Sequence, residues 1–341
     1  MIIAIDVMGG DNAPGAVLEA CAALKEKLQD GTNLALYGTE EAKAKAEAMG
    51  LLSDRITFTV CSEVIGCDEA PAAAIRRKKD SSLVRALTDI AGGNGDAIVS
   101  AGNTGALLTG ATLIVRRLPG IKRPALATCL PTVTDGHVLL LDSGANTDCR
   151  PEYLEQFALM GSVYAQKVLG IEKPRVGLLN NGAEEEKGSE LTKAAYQLLK
   201  NAPLGFAGNC EARDVLSGDF DVIAADGFDG NVLLKSIEGT ASAIFSMLKR
   251  SLYGSLRTKI GALLAKPAFK ALKKKLDYSE VGGAPLLGVK AGVIKAHGSS
   301  DAKAFVAAFL QAERFVSEGV LPVIAEALSA CAAENASSTE D

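Results

Sequence analysis

Five stretches of the chain place glycine beside Asn, Asp, Ser or Thr directly behind short apolar runs. They fall at 8–12 (Gly9, Gly10, Asp11, Asn12), 100–105 (Gly102, Asn103, Thr104), 142–148 (Ser143, Gly144, Asn146), 180–182 (Asn181) and 226–231 (Gly230, Asn231). Glycine lets backbone N–H groups approach a ligand closely, and a helix starting just behind adds its positive end. One such loop alone reads as a turn or a helix cap. Five of one kind read as a floor of amides for an anion. Asp6 and Asp11 suit an anion site less directly. They are expected to fix the first loop through backbone hydrogen bonds, or to orient a lysine.

These loops need strands to present them. Strand-length apolar runs are expected at 2–6, 34–37, 56–60, 97–100, 125–130, 138–142, 175–179 and 221–224. Helix-period segments are expected at 15–29, 40–48, 82–91, 104–117, 152–169, 190–201, 231–253 and 301–318. The alternation predicts parallel βαβ units, an α/β fold with a central sheet covered by helices on both faces. Ligands of such sheets bind outside the carboxyl ends of the strands, where all five loops fall.

Composition narrows the function classes. At 48% hydrophobic and 23% charged residues, the 341-residue chain has the makings of an ordinary core. A net charge of −5 argues against nucleic acid as a partner. The seven cysteines include no Cys-x-x-Cys pair and no nearby His, which excludes the common zinc and disulfide patterns. The first apolar run is too short for a signal peptide and lacks a basic start, and no run reaches transmembrane length, so a cytoplasmic protein is expected. There is no Gly-x-Ser-x-Gly elbow and no Gly-x-Gly-x-x-Gly fingerprint, against a serine hydrolase and a dehydrogenase. No carboxylate cluster suggests a metal, and none of the cysteines has an activating setting.

The motifs IDVMGGDNAP, AIRRKKDSS, SAGNTGALL, LDSGANTD, NNGAEEEKGSE, DGFDGNVLLKSIEG and GGAPLLGV occur in that order. Together they closely resemble the bacterial acyl-acyl carrier protein:phosphate acyltransferase family of phospholipid synthesis. The resemblance runs from residue 1 to about 331, one α/β catalytic domain, and leaves a polar tail at 332–341 expected to be disordered. It implies a homodimeric, Rossmann-like three-layer α/β/α sandwich related to isocitrate and isopropylmalate dehydrogenases and to phosphotransacetylase. It implies transfer of an acyl group from acyl carrier protein to inorganic phosphate, with no cofactor. A membrane glycerol-3-phosphate acyltransferase then consumes the acyl phosphate. Asp229 departs from the pattern, standing where Thr or Val is expected.

That chemistry suits the residues. Ionised phosphate needs no base to attack a thioester; it needs an anion cradle, donors for the oxyanion and exclusion of water. Lys187, beside three glutamates, reads alone as a surface lysine; the resemblance makes it the catalytic cation. Asn231 is the second catalytic candidate, as an oxyanion donor rather than a helix cap. His297 either assists proton transfer or packs near a cap. His137 follows a turn and reads as structural.

Two basic regions remain. Arg76, Arg77, Lys78 and Lys79 suit the acidic carrier protein, though charge runs are usually only solvated. Apolar residues recur every four positions from Ile244 through Leu252, Leu256 and Ile260 to Leu264, with Leu263 alongside. Nine Lys or Arg and no acid lie between 249 and 275. This is the pattern of a helix resting on an anionic membrane, although a core or dimer helix explains the apolar stripe equally well. Pro267 is expected to divide a protruding arm, about 244–280, into two helices. The alternatives are a phosphotransacetylase-like enzyme using acyl-coenzyme A and a non-catalytic membrane scaffold for lipid enzymes.

Overall fold

The computed structural model describes residues 1–25, 27–275 and 282–337. The strands are β1 (Ile2–Asp6), β2 (Asn33–Gly38), β3 (Ile56–Val60), β4 (Ala97–Ser100), β5 (Ala125–Leu126), β6 (Thr128–Pro131), β7 (His137–Leu141), β8 (Val176–Asn180), β9 (Phe206–Glu211), β10 (Val222–Ala224), β11 (Ala284–Leu287) and β12 (Gly292–Lys295). The helices are α1 (Gly15–Leu24), α2 (Glu40–Ala48), α3 (Pro71–Arg77), α4 (Ser82–Ala91), α5 (Thr104–Gly110), α6 (Pro151–Lys167), α7 (Glu190–Asn201), α8 (Gly227–Leu252), α9 (Leu256–Lys275), α10 (Ala302–Ser317) and α11 (Val320–Ser337).

The strands form two sheets, of order β3-β2-β1-β4-β12-β11-β5 and β6-β7-β10-β8-β9. The α/β expectation holds, with a correction to its all-parallel form. β11 runs antiparallel to β12 and β5, and β6 antiparallel to β7. The strand expected at 125–130 is divided at Ala127, whose N–H leaves its own strand and donates to the Pro285 carbonyl at 2.9 Å. One continuous stretch thereby ends the first sheet and begins the second. Central strands are buried on both faces, as in Ile3, Ala4 and Ile5, which explains why they read as unbroken apolar runs.

Other boundaries moved for local reasons. The helix expected from 231 begins at Gly227, because the Asp226 carboxylate accepts the Phe228 N–H at 2.8 Å and caps it. The helix expected to reach 117 is α5 to Gly110, then a π turn over Ala111–Val115. The arm does consist of two helices, but Pro267 lies inside α9 and does not divide them. The break is at 253–255, where Ser255 Oγ accepts the Thr258 N–H at 3.2 Å and starts α9 afresh. The end of α9 is tied to the β6–β7 turn by a Lys275–Asp135 ion pair. Residues 276–280, also assigned to the arm, lie outside the described residues. The tail expected to be disordered from 332 instead continues α11 to Ser337, and 338–341 lie outside the described residues. Among the described residues no helix is long and apolar enough to cross a membrane.

Candidate active site

The two sheets bring their strand ends to one cleft of about 200 Å³. From the first sheet come Lys295, Ala296 and His297 at the end of β12, and Thr104 at the start of α5. From the second come Thr128 and Cys129 of β6, Ser143 and Gly144 behind β7, and Asn231, Leu234, Lys235 and Glu238 along α8. Of the residues singled out in the sequence, Thr104, Ser143, Gly144, Asn231 and His297 therefore meet.

Asp142 organises the second-sheet wall. Its buried carboxyl accepts five N–H groups, from the backbone of Leu126, Gly144, Ala145 and Asn146 and from the Asn146 side chain. Burial pushes this carboxyl above its ordinary value while those donors pull against it. The Asn146 amide also donates to the Pro124 carbonyl at 2.8 Å, so it serves the loop and not the cleft. Ser143 Oγ donates to the Leu126 carbonyl at 3.0 Å and lies 2.7 Å from Thr128 Oγ.

The first turn of α8 sits directly on this loop. A Cβ on Gly230 would lie 2.0 Å from the Asp142 carbonyl oxygen, so glycine here permits close packing rather than anion contact. That seating carries Asn231, in the second turn, to the cleft. Because Asp226 caps α8, Asn231 has no capping role.

Asp6 organises the opposite wall. Its buried carboxyl accepts Ser82 Oγ–H at 2.6 Å and Ser100 Oγ–H at 2.7 Å. Burial raises its pKa, and the two hydroxyls and nearby Lys295 oppose the rise. Gly9 and Gly102 pack around that carboxyl; a Cβ on Gly9 would meet the Gly102 nitrogen at 2.6 Å. Gly10 adopts φ +101° against the Gly298 carbonyl. The Asp11 N–H donates to the same carbonyl at 2.8 Å, and the Asn12 amide to the carbonyls of Ser299 and Ser300 at 3.2 and 3.1 Å. The first glycine loop thus stitches itself to the loop behind β12. Asn103 caps α5 through the Ala106 N–H, and its amide donates to the carbonyls of Gly66, Cys67 and Glu69.

His297 Nδ1 accepts the Ser299 N–H at 3.2 Å and lies 2.8 Å from Ser299 Oγ. This arrangement leaves the neutral ring's proton on Nε2. Lys187 is exposed on the loop behind β8, outside the cleft lining. β8 lies next to β10 in the sheet, so this loop emerges from the same strand edge one strand beyond α8. The Asn180 amide donates to the Lys187 carbonyl at 3.2 Å, and the N–H of exposed Asn181 donates to Asn180 Oδ1 at 2.8 Å. The cleft thiol Cys129 and the neighbouring Cys149 are each pushed up to about 12 by burial, far from a nucleophilic thiolate.

Sequence reasoning missed Lys295. It is only 9% exposed and ends β12, paired in register with Ser100. A lysine closing the apolar run Gly-Val-Ile, two residues before His297, was the available signal.

Of the four cations at 76–79, Lys78 forms an ion pair with Glu69 at 2.6 Å and Lys79 donates to the Ile75 carbonyl. Arg76 and Arg77, at the end of α3, are exposed, as is Lys79. On the arm, Leu248, Leu252 and Leu263 border a groove of about 570 Å³ between α8 and α9, while Leu256, Ile260 and Leu264 face outward.

A Rossmann-like α/β chain with its cleft between two sheet edges belongs with the phosphotransacylase-type folds. A phosphotransacetylase from Streptococcus pyogenes matches with TM-score 0.62 at 17% identity, covering 94% of both chains. A branched-chain phosphotransacylase from Enterococcus faecalis matches with TM-score 0.59 at 15% identity, covering 93% of this chain and 99% of its own. The sequence is more specific. The chain belongs to the fatty acid synthesis protein family, whose model matches residues 1–322. Proteins named phosphate acyltransferase are 52% identical in Lysinibacillus sphaericus and 51% identical in Bacillus licheniformis, each over 96% of this chain and 98% of the relative. The chain is accordingly an acyltransferase enzyme of lipid synthesis.

Proposed function

We propose that this enzyme transfers an acyl group from acyl carrier protein to inorganic phosphate. The observation that carries the reading is one cleft joining Asn231, Ser143, Thr104 and His297 at the carboxyl edges of two sheets, in a chain about half identical to named phosphate acyltransferases. A phosphate oxygen attacks the thioester carbonyl, with no acyl-enzyme. The new O–C bond forms a tetrahedral oxyanion, toward which Asn231 donates from its place above Gly144. Lys187, from the adjoining loop, adds positive charge. The C–S bond then breaks, and the proton of hydrogen phosphate ends on the departing thiol. His297 can relay it, giving up its Nε2 proton and being reprotonated.

Arg76 and Arg77, with exposed Lys79 beside them, are the cations offered to an acidic carrier protein. The α8–α9 arm, with outward leucines beside cations, suits an anionic membrane surface where a membrane glycerol-3-phosphate acyltransferase would take the product. A cytoplasmic homodimer resting on that surface completes the reading.

The deciding experiment measures phosphate-dependent thiol release, with acyl carrier protein and coenzyme A thioesters compared. Faster turnover on the carrier protein is expected. A preference for coenzyme A would favour a phosphotransacetylase-like role, and no phosphate-dependent release on either would leave a scaffold.

A further inference from the structure

Lys295 is the one lysine lining the cleft that lies nine-tenths buried among the described residues. Its Nζ donates to the Ala101 carbonyl at 3.3 Å and to the Ala296 carbonyl. An ammonium carries three N–H donors, and these two contacts leave one for the cleft. The charged and titratable groups facing it are Asp6 from β1, Asp11 from the loop behind it, and Cys67 from the segment before α3. His297 is beside it on its own loop, and Lys235 and Glu238 also line the cleft. Lys235 is engaged with Glu238 at 2.8 Å, which makes it a poor anion receptor. The Asp6 carboxyl is already taken by two hydroxyls, so Lys295 has no bidentate carboxylate partner.

We infer that Lys295 is the cation that holds inorganic phosphate in the cleft, a role that rests on the acyl-transfer reading above. The position is suited to the task. A buried ammonium held by carbonyl dipoles is poorly solvated, so an entering dianion meets a strong field with little water to displace. Desolvation lowers the Lys295 pKa to about 8, with Cys67, Asp6 and Asp11 opposing the shift. The anion would favour the charged form, so phosphate entering near pH 8 draws a proton onto the side chain.

Calorimetric titration of the full chain with inorganic phosphate at pH 8, in buffers of different ionisation enthalpy, tests this. Proton uptake on phosphate binding is expected of the wild type and is expected to fall in Lys295→Met; uptake that persists undiminished in Lys295→Met overturns the assignment. Lys295→Met is expected to weaken phosphate binding and raise its KM about ten- to a hundredfold, with the thioester KM little changed. Unaltered phosphate affinity in a folded Lys295→Met would likewise overturn it. If wild-type protein shows no phosphate-dependent turnover, the acyl-transfer reading fails. If the wild type turns over and phosphate affinity ignores residue 295, only the present assignment fails.

Discussion

Asn231 lies directly against Gly144. A Cβ built on Gly144, at φ +134°, would meet the Asn231 Cβ and amide oxygen at 3.4 Å each. The loop behind β7 and the second turn of α8 therefore fix one another at the cleft. Asn231→Ala is expected to lower turnover about 10²–10³-fold with an unchanged melting curve. Gly144→Ala, strained in its backbone, is expected to cost about 1 kcal/mol of stability as well as activity. Near-wild-type turnover in Asn231→Ala would remove the amide from the mechanism.

Lys187 is exposed, so its replacement leaves packing alone. Lys187→Met is expected to reduce turnover at least about 10²-fold at constant thermal stability. Retained activity would return this lysine to the surface role it has when read without its relatives.

Gly230 and Gly239 lie on the same helix in opposite circumstances. Alanine at 230 would place its Cβ 2.0 Å from the Asp142 carbonyl oxygen, whereas nothing lies within 4 Å at 239. Urea denaturation should show Gly230→Ala destabilised by about 1–3 kcal/mol, and Gly239→Ala stabilised by up to about 1 kcal/mol. Equal effects would contradict the seating of α8 on the Asp142 loop.

The exposed pair Arg76 and Arg77 is separable from the chemistry. Reversing both to Glu is expected to raise the KM for acyl carrier protein about tenfold or more, diminishing with salt, and to spare small acyl thioesters. An equal effect on both substrates would argue against a docking role.

Leu256 and Leu264 are 76% and 79% exposed beside a basic face. Changing either to Glu is expected to weaken cosedimentation with anionic vesicles by about tenfold or more, as is added salt. Binding that survives both changes would place the membrane contact elsewhere.

Helices announced by a cap were legible to the residue. Residues 40–48, 82–91 and 190–201 begin behind Thr39, Ser81 and Ser189, whose hydroxyls accept the expected N–H groups. Central parallel strands were legible because burial on both faces makes them uniformly apolar. β9, β11 and β12 were not, since FAGNCE carries glycine and polar residues while APLL and GVIK are short and begin at Ala-Pro or Gly. Missing β12 meant missing that Lys295 closes a strand. Within the glycine loops residue types signalled polar work, but their partners are distant in sequence. Asn12 reaches 299 and 300, Asn103 reaches 66–69, and Asn146 reaches Pro124 and Asp142. No local pattern separates an amide serving the scaffold from one serving a substrate.

The place of β12 between β4 and β11 bears on how the protein is made. A nascent chain leaving the ribosome exposes the right flank of β4 until some two hundred further residues, the whole second sheet and the arm, have emerged. Ribosome-bound intermediates ending after α9 would thus carry all five glycine loops and an unpaired strand edge, open to association until translation delivers the missing neighbour.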